Sequence, residues 1–153
     1  MTMTAPDPTP TGIVRPPSWQ VQLPVGTFLL NDNQRLNKWR KAEYIDLIRR
    51  ASGFAARAAK IPALQRIHVY YVVHPKPGLR RRDPGNWSPT AKAAIDGLVD
   101  AGVVPDDNSD RVLGGDPRLG PPVKGSQFVL WITDLDRMHP DHIALINPPG
   151  ASA

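Results

Sequence analysis

The sequence predicts an α+β fold in which a mixed β-sheet packs with two main helices. Three observations predict this class. Apolar residues alternate with polar ones in several short stretches. One longer stretch carries apolar residues at helical spacing and a second has the start and stop residues of a helix, so the elements follow in the order strand, helix, strand, helix, strand, strand. The 18 prolines and 12 glycines among 153 residues argue against a long helical bundle.

The length and the composition of the ends indicate one domain between two tails. A chain of 153 residues suffices for one ordinary core. Residues 1–17 are rich in proline and poor in apolar residues, and the chain ends in Pro-Pro-Gly-Ala-Ser-Ala. We therefore expect a disordered tail at residues 1–17, the domain at residues 18–137 and a flexible tail at residues 138–153.

The first half of the domain is predicted to be a strand followed by a long helix. Trp19, Val21 and Leu23 alternate with glutamines, which is typical of a strand with one buried face. Apolar residues then recur three and four apart, which predicts a helix over residues 34–60 with Trp39 on its buried stripe. Trp19 and Trp131 are expected in the core as well.

The second half repeats the pattern and adds two strands. Alternating apolar residues predict a strand over residues 67–74, and Ser88-Pro89 is typical of a helix start, with Gly102 as the stop. The last two strands are expected around residues 111–115 and 127–133. His68 and His74 are interpreted as satisfied or solvent-facing histidines rather than a metal pair.

Charge and cysteine content narrow the functional classes. The net charge of +5 and a pI of about 9.9 favour a polyanionic partner without identifying it. Without cysteine the chain has no disulfide, no thiolate zinc site and no cysteine nucleophile, so a metal here would be a hard one bound by carboxylates or histidines. No apolar run approaches about 20 residues and no signal peptide is visible, so we expect a soluble, cytoplasmic protein.

Two charged clusters flank the second predicted helix. Arg80, Arg81 and Arg82 run directly into Asp83, and the pair Asp106-Asp107 follows the helix. The first cluster is consistent with a solvated turn or with a phosphate-binding loop. A helix over residues 88–101 would separate the clusters by about 20 Å, so they meet only if the following segment doubles back.

If the clusters meet, their residue types indicate phosphodiester chemistry. Carboxylates bind hard ions such as Mg²⁺, and arginines hold phosphates. Lys92 and Asp96 are four residues apart on one helix face. They form either a plain surface ion pair or a lysine that stabilises charge on the reacting phosphate while Asp96 orients it. Trp87 could stack on an opened base or pack against the helix start.

The order of these motifs resembles the RusA-like family of Holliday junction resolvases. That family carries an Arg-Arg-Asp-x-Asp-Asn turn, a Lys-Ala-x-x-Asp-x-Leu helix and an Asp-Asp pair. The matching segments here are Arg81-Arg82-Asp83-x-x-Asn86, Lys92-Ala93-Ala94-Ile95-Asp96-Gly97-Leu98 and Asp106-Asp107, within a resemblance that covers residues 19–134. The resemblance implies a homodimeric, Mg²⁺-dependent endonuclease, with Mn²⁺ as an alternative ion, that resolves branched double-stranded DNA.

The resemblance also implies roles for individual residues. Asp83, Lys92 and Asp107 take the catalytic positions. Asp83 and Asp107, joined by Asp106, are the expected metal ligands. The expected DNA-binding residues are Asn86, which matches the asparagine closing the family turn, and the basic residues Lys76, Arg80, Arg81 and Arg82, whose charge suits phosphate.

Two departures from the family pattern leave alternatives open. Gly85 replaces the second aspartate of the turn, and three extra residues separate Asn86 from Lys92. Asp96, Asp106 or Asp110 could replace the missing carboxylate; otherwise catalysis is weakened. The alternatives are therefore a junction endonuclease, an inactive branched-DNA-binding module on the same fold, and a small basic factor that binds RNA or protein.

Overall fold

The computed structural model describes residues 16–78 and 83–147, which form a four-stranded sheet with helices. The elements are β1 (Ser18–Gln22), α1 (Lys38–Ala58), β2 (Ile67–His74), a 3₁₀ turn (Pro84–Trp87), α2 (Ser88–Asp100), β3 (Val112–Leu119), β4 (Gln127–Asp134), a 3₁₀ turn (Leu135–Arg137) and α3 (Pro140–Ile146). Every strand and both main helices of the sequence prediction are present, and the α+β class is confirmed.

The sheet is mixed, with strand order β1-β4-β2-β3. β2 pairs in parallel with β3 and antiparallel with β4, and β1 pairs antiparallel with β4. A parallel pair needs a crossover connection, which α2 supplies between β2 and β3. Pro117 is tolerated within β3 because this strand lies at the sheet edge.

The long helix α1 begins later than predicted and buries a different face. Asn37 caps it by accepting a hydrogen bond from the Arg40 amide at 2.8 Å. Its buried residues are Ile48, Ser52, Gly53 and Ala56.

The prediction that Trp39 lies in the core is wrong, because 75% of that residue is exposed. Leu47 and Phe54 are exposed as well, at 57% and 73%. Apolar residues occur on more than one face of α1, and α1 packs on α2 through small residues instead. A Cβ atom at Gly97 of α2 would overlap the Arg49 carbonyl of α1, so this close approach requires glycine.

The second helix begins one residue earlier than predicted. Trp87 occupies the cap position, Ser88 is already helical, and Gly102 follows the helix with φ of +78°. The buried Thr90 hydroxyl accepts from the Leu30 amide and donates to the Leu30 carbonyl, each at 2.7 Å. This pair of hydrogen bonds fixes the loop after β1 to the start of α2.

The other two tryptophans predicted in the core, and the two histidines of β2, are only partly buried. Trp19 packs partly buried against the core, whereas Trp131 stacks on Tyr70 with ring centroids 5.7 Å apart. His68 contacts Asp116 at 3.1 Å and His74 contacts the Pro121 carbonyl at 2.9 Å, so each histidine has its own partner.

The segment after β4 contains an element that the sequence analysis did not predict. The seven-residue helix α3 lies within residues 138–153 and has no buried residue. None of the helices in the two described ranges is both long enough and apolar enough to cross a membrane.

Candidate functional site

An open cleft of about 360 Å³ lies between α2, β3 and the loop that joins them. Lys92 and Asp107 line it together with Tyr71 of β2 and the glycines Gly114 and Gly115 of β3. The backbone of the joining loop turns back after α2, so that Asp107 reaches a lysine in the first half of that helix. The segment after α2 therefore doubles back, as a shared site required, and this places Asp107 beside Lys92.

Lys92 is the centre of the charged group in this cleft. Its Nζ lies 3.4 Å from Asp107 Oδ2 and 3.9 Å from Asp96 Oδ1. The lysine side chain is 73% exposed, whereas that of Asp96 is only 23% exposed. The ammonium group therefore lies between two carboxylates while remaining accessible from solvent.

The two carboxylates have pKa values shifted in opposite directions. Burial, a hydrogen bond with Asp107 and the Asp107 charge raise the pKa of Asp96, although Lys92 opposes the shift. Hydrogen bonds with Asp96, Lys92 and Asp106 lower the pKa of Asp107. Asp96 is thus the acid of the pair that holds a proton more readily, and Asp107 is the one that stays ionised.

Asp106 has a structural role in the loop. One of its carboxylate oxygens accepts from the Asp107 amide at 2.7 Å, and the other accepts from Asn108 Nδ2 at 3.0 Å. Asp110 donates its amide to Asn108 Oδ1 at 3.0 Å. These bonds hold the loop in the conformation that presents Asp107 to Lys92.

Asp83 directly precedes the 3₁₀ turn Pro84–Trp87, which leads into α2, and caps that turn. Its Oδ1 accepts from the Gly85 amide at 2.9 Å, and its carbonyl accepts from the Asn86 amide at 3.1 Å. A Cβ atom at Gly85 would lie 3.2 Å from Asp83 Oδ1, so a larger residue there requires the Asp83 side chain to shift by a few tenths of an ångström. The Asn86 carbonyl accepts from the Asp32 amide at 2.9 Å and so joins this turn to the loop after β1.

Tyr71 connects the turn to the cleft. Its hydroxyl donates to the Pro84 carbonyl at 3.2 Å, and its ring lines the cleft with Lys92 and Asp107. Burial first, and then the charges of Asp83 and Asp32, raise the pKa of Tyr71. Asp83 therefore lies beside the cleft without contributing a cleft-lining side chain.

The predicted metal ligands do not form a three-carboxylate cluster. Within residues 16–78 and 83–147, no group of three or more histidine, aspartate or glutamate side chains is placed to hold a metal ion. Asp106 and Asp83 each accept hydrogen bonds within their own loop instead. Asp107, the acid of this group that stays ionised, is the carboxylate that fits a hard cation, because Mg²⁺ is commonly bound by one or two carboxylates together with waters and substrate phosphate.

Of the five predicted DNA-binding residues, Lys76 and Asn86 lie in the described part of the chain. Arg80, Arg81 and Arg82 lie outside the described residues. Lys76 is exposed just beyond β2 and lines a separate cavity with Trp87, and Trp87 itself is buried. Packing of Trp87 against the start of α2 is thus the interpretation that the structure supports.

The sequence analysis missed two contributors to the cleft. The sequence predicts Tyr71 only as part of a strand. No sequence pattern predicts its hydrogen bond to the Pro84 carbonyl, because that acceptor is a backbone atom. A β-bulge interrupts the pairing of β2 with β3 where Gly114 and Gly115 have φ of +97° and +98°. Two adjacent glycines within a predicted strand are the signal that could have revealed it, since such bulges occur beside functional sites.

The chain matches no model of a known protein family and no curated protein. The resemblance to RusA-like resolvases consequently depends on the order of the sequence motifs alone.

Proposed function

We propose that the protein is a cytoplasmic, Mg²⁺-dependent and structure-selective endonuclease that resolves Holliday junctions or other branched DNA. The observation that carries this proposal is the position of Lys92, which lies between Asp107 and Asp96 in an open cleft beside the Asp83 turn. A cation flanked by acids suits the cleavage of a phosphodiester, where negative charge increases in the transition state.

Each residue of the cleft has a distinct part in this proposal. Lys92 binds the phosphoryl oxygens of the scissile phosphate, and Asp96 orients the ammonium group from one turn further along α2. Asp107 would hold the metal ion, with Asp83 beside the incoming strand. When bound, Mg²⁺ or Mn²⁺ would activate water and offset phosphate charge. Tyr71 positions the Asp83 turn through its bond to Pro84.

The shape of the cleft agrees with a large substrate. It is open to solvent along one side, and the lysine at its centre is mostly exposed. Such a surface contacts a DNA backbone without enclosing it. The positive charge of the chain as a whole favours the approach of a polyanion.

A homodimer is part of the proposal, because a four-way junction has two cleavage points. An apolar groove of about 750 Å³ lies between α1 and β1, with Leu47, Phe54 and Ala51 along it. β1 pairs with β4 on one side and is otherwise an edge strand. A second copy that adds its own β1 would satisfy the free strand edge and cover Leu47 and Phe54.

The dimer is tested by analytical ultracentrifugation. Leu47→Glu combined with Phe54→Glu should convert a dimer to a monomer. A wild type that is already monomeric at high concentration contradicts the dimer.

The function is tested by incubating the full chain with a labelled four-way junction and Mg²⁺. We expect paired cuts by the wild type, and loss of product in Asp107→Asn with junction binding retained. Asp46→Asn is the matched control, since Asp46 is an exposed acid paired with Arg50 on α1 at 3.0 Å. Absence of product from the wild type with both Mg²⁺ and Mn²⁺ would sink the endonuclease proposal.

A second candidate is a branched-DNA-binding module without catalysis. Two observations favour it: Gly85 stands where the family has an acid, and Asp83 is engaged as a cap in its own turn. This candidate predicts salt-sensitive junction binding without metal-dependent product. Gly85→Asp discriminates between the two, because a gain of cleavage indicates a degraded site, whereas unchanged cleavage indicates that another acid already serves.

A further inference from the structure

A second cavity, of about 360 Å³, lies where the loop after β1 meets the ends of β2 and β4. Its walls come from Phe28, Asn31, Lys76 and Trp87, with the turn at Gly125 and Ser126 opposite. Small-ligand sites span roughly 300–1,000 Å³, so this cavity is at the low end of that range. It suits one flat group rather than a large ligand.

The cavity is held open by hydrogen bonds within the protein. The Gly26 amide donates to the Ser126 carbonyl at 3.2 Å, which joins two of its walls. The Gln34 side chain donates to the Leu29 carbonyl at 2.8 Å and accepts from the Asn31 amide at 3.1 Å. Because these contacts need no ligand, the walls are preorganised for binding.

The wall side chains offer the three contacts that a nucleotide requires. Phe28 is 42% exposed, and its ring is supported by stacking on Tyr44 with centroids 4.0 Å apart. Asn31 Oδ1 accepts from the Asn33 amide at 2.9 Å, while its Nδ2 makes no hydrogen bond within the described part of the chain. Lys76 supplies an exposed positive charge at the rim. A π face, an amide donor and a cation match a base and its phosphate.

The cavity adjoins the candidate cleavage site through two backbone connections. Trp87, a wall residue, is followed directly by Ser88, which lines the Lys92 cleft. The Asp32 amide, next to Asn31, donates to the Asn86 carbonyl at 2.9 Å. A strand whose phosphate lies at Lys92 therefore has the cavity within reach of a neighbouring nucleotide.

We infer that this cavity receives a single unpaired nucleobase of the bound DNA strand, stacked on Phe28 and hydrogen-bonded by Asn31. The choice of DNA as the source of the base rests on the proposed function. The cavity would then select DNA in which a base is already unstacked, as at a branch point, because such a base costs less to extrude.

The test uses a duplex with one unpaired 2-aminopurine, titrated with the full chain in EDTA so that no cleavage occurs. We expect a saturable fluorescence change, with the bulged duplex bound more tightly than the fully paired one. Phe28→Ala should weaken binding of the bulged duplex about tenfold and leave the paired duplex unchanged. Trp39→Ala is the matched control, since Trp39 is an exposed aromatic residue that does not line the cavity.

Two further variants separate recognition from folding. Phe28→Leu keeps apolar bulk and removes the ring, so it should show the same selective loss with an unchanged melting temperature. Asn31→Asp keeps the acceptor for Asn33 and replaces the donor, so it should also reduce bulge binding. Equal binding of bulged and paired duplex by the wild type, or wild-type behaviour of both Phe28 variants, overturns the inference. Displacement by free deoxynucleoside monophosphate, with no preference for bulged DNA, would overturn DNA as the source of the base.

The two proposals fail in different ways. Lys92→Ala should lose Mg²⁺-dependent cleavage and keep the Phe28-dependent fluorescence signal. A wild type that shows this signal without cleaving any junction supports the base cavity and overturns the endonuclease. Cleavage that proceeds without any selective effect of the Phe28 variants on bulge binding overturns the base cavity alone.

Discussion

The two loops that flank α2 carry similar acids and use them differently. In the turn before the helix, Asp83 accepts a hydrogen bond from the backbone amide of Gly85. In the loop after the helix, Asp107 contacts Lys92 and shares a hydrogen bond with Asp96. The first acid stabilises a local turn, whereas the second belongs to a group of ionisable side chains.

The difference shows that acids with similar sequence signals need not contribute equally to a site. Asp106 resembles Asp83, since both of its oxygens bond within its own loop. Asp96 resembles Asp107, since each has a pKa shifted partly by the other. The chemistry of the proposed enzyme is therefore concentrated on α2 and the loop after it, with the Asp83 turn as a flank.

The largest expected effect comes from removing Lys92, the cation of α2 that contacts both Asp96 and Asp107. Lys92→Ala should lower the rate of junction cleavage about 10²- to 10³-fold, because the charge that opposes the developing phosphoryl charge is lost. Junction binding should change little, since many other contacts hold the DNA. Single-turnover cleavage and gel-shift titration measure the two effects separately.

Lys124→Ala is the control for this variant, as Lys124 is an exposed lysine of the β3 to β4 connection. A cleavage rate in Lys92→Ala within about twofold of the wild type would show that the reacting phosphate lies elsewhere. The Asp83 turn would then have to be reconsidered as the reactive loop.

Periodicity in the sequence predicts most of this fold. Alternation identifies β2 and β4, and the Ser88-Pro89 start together with the Gly102 stop identifies α2. Periodicity could not predict which apolar face of α1 would be buried, because that depends on the Gly97 contact with Arg49. The short α3 has too few residues to show a period.

The candidate site was predicted less completely than the fold. Lys92, Asp96 and Asp107 have sequence signals, and the structure brings them together. Tyr71 and the capping role of Asp83 depend on contacts with backbone atoms, which residue types alone do not specify. A hydrogen bond to a carbonyl such as that of Pro84 follows from tertiary packing.

An intermediate effect is expected at the Asp83 turn. Asp83→Ala should destabilise the protein by about 1 kcal/mol, because the Gly85 amide loses its acceptor. Asp83→Asn retains an acceptor and should leave stability near that of the wild type. Thermal unfolding should therefore show a decrease of about 2–4 °C for the alanine variant.

Cleavage by Asp83→Asn shows whether this acid also takes part in the reaction. A stable Asp83→Asn protein with reduced product assigns Asp83 a role beyond its cap. Equal melting temperatures for the alanine and asparagine variants would contradict the capping role and remove the main contrast between the two loops.

The smallest expected effect is a pair of opposite pH dependences, one at Asp96 of α2 and one at Asp107 of the loop after it. The folded pKa of Asp107 is lowered, so its charged form stabilises the protein above its unfolded value near 3.8, and this contribution is lost as the pH falls through the folded pKa. The folded pKa of Asp96 is raised, chiefly by burial, so its charged form is disfavoured in the fold and the penalty disappears on acidification.

Urea unfolding at about pH 7 and about pH 2 measures both signs. At neutral pH, Asp107→Asn should lower the midpoint, whereas Asp96→Asn should raise it slightly, because a neutral amide removes the partly buried charge of Asp96. At acidic pH both differences should shrink, because protonation in the wild type removes the charge that each variant lacks. Shifts of the same sign at neutral pH would mean that the two acids share one environment, and the division of roles around Lys92 would then be wrong.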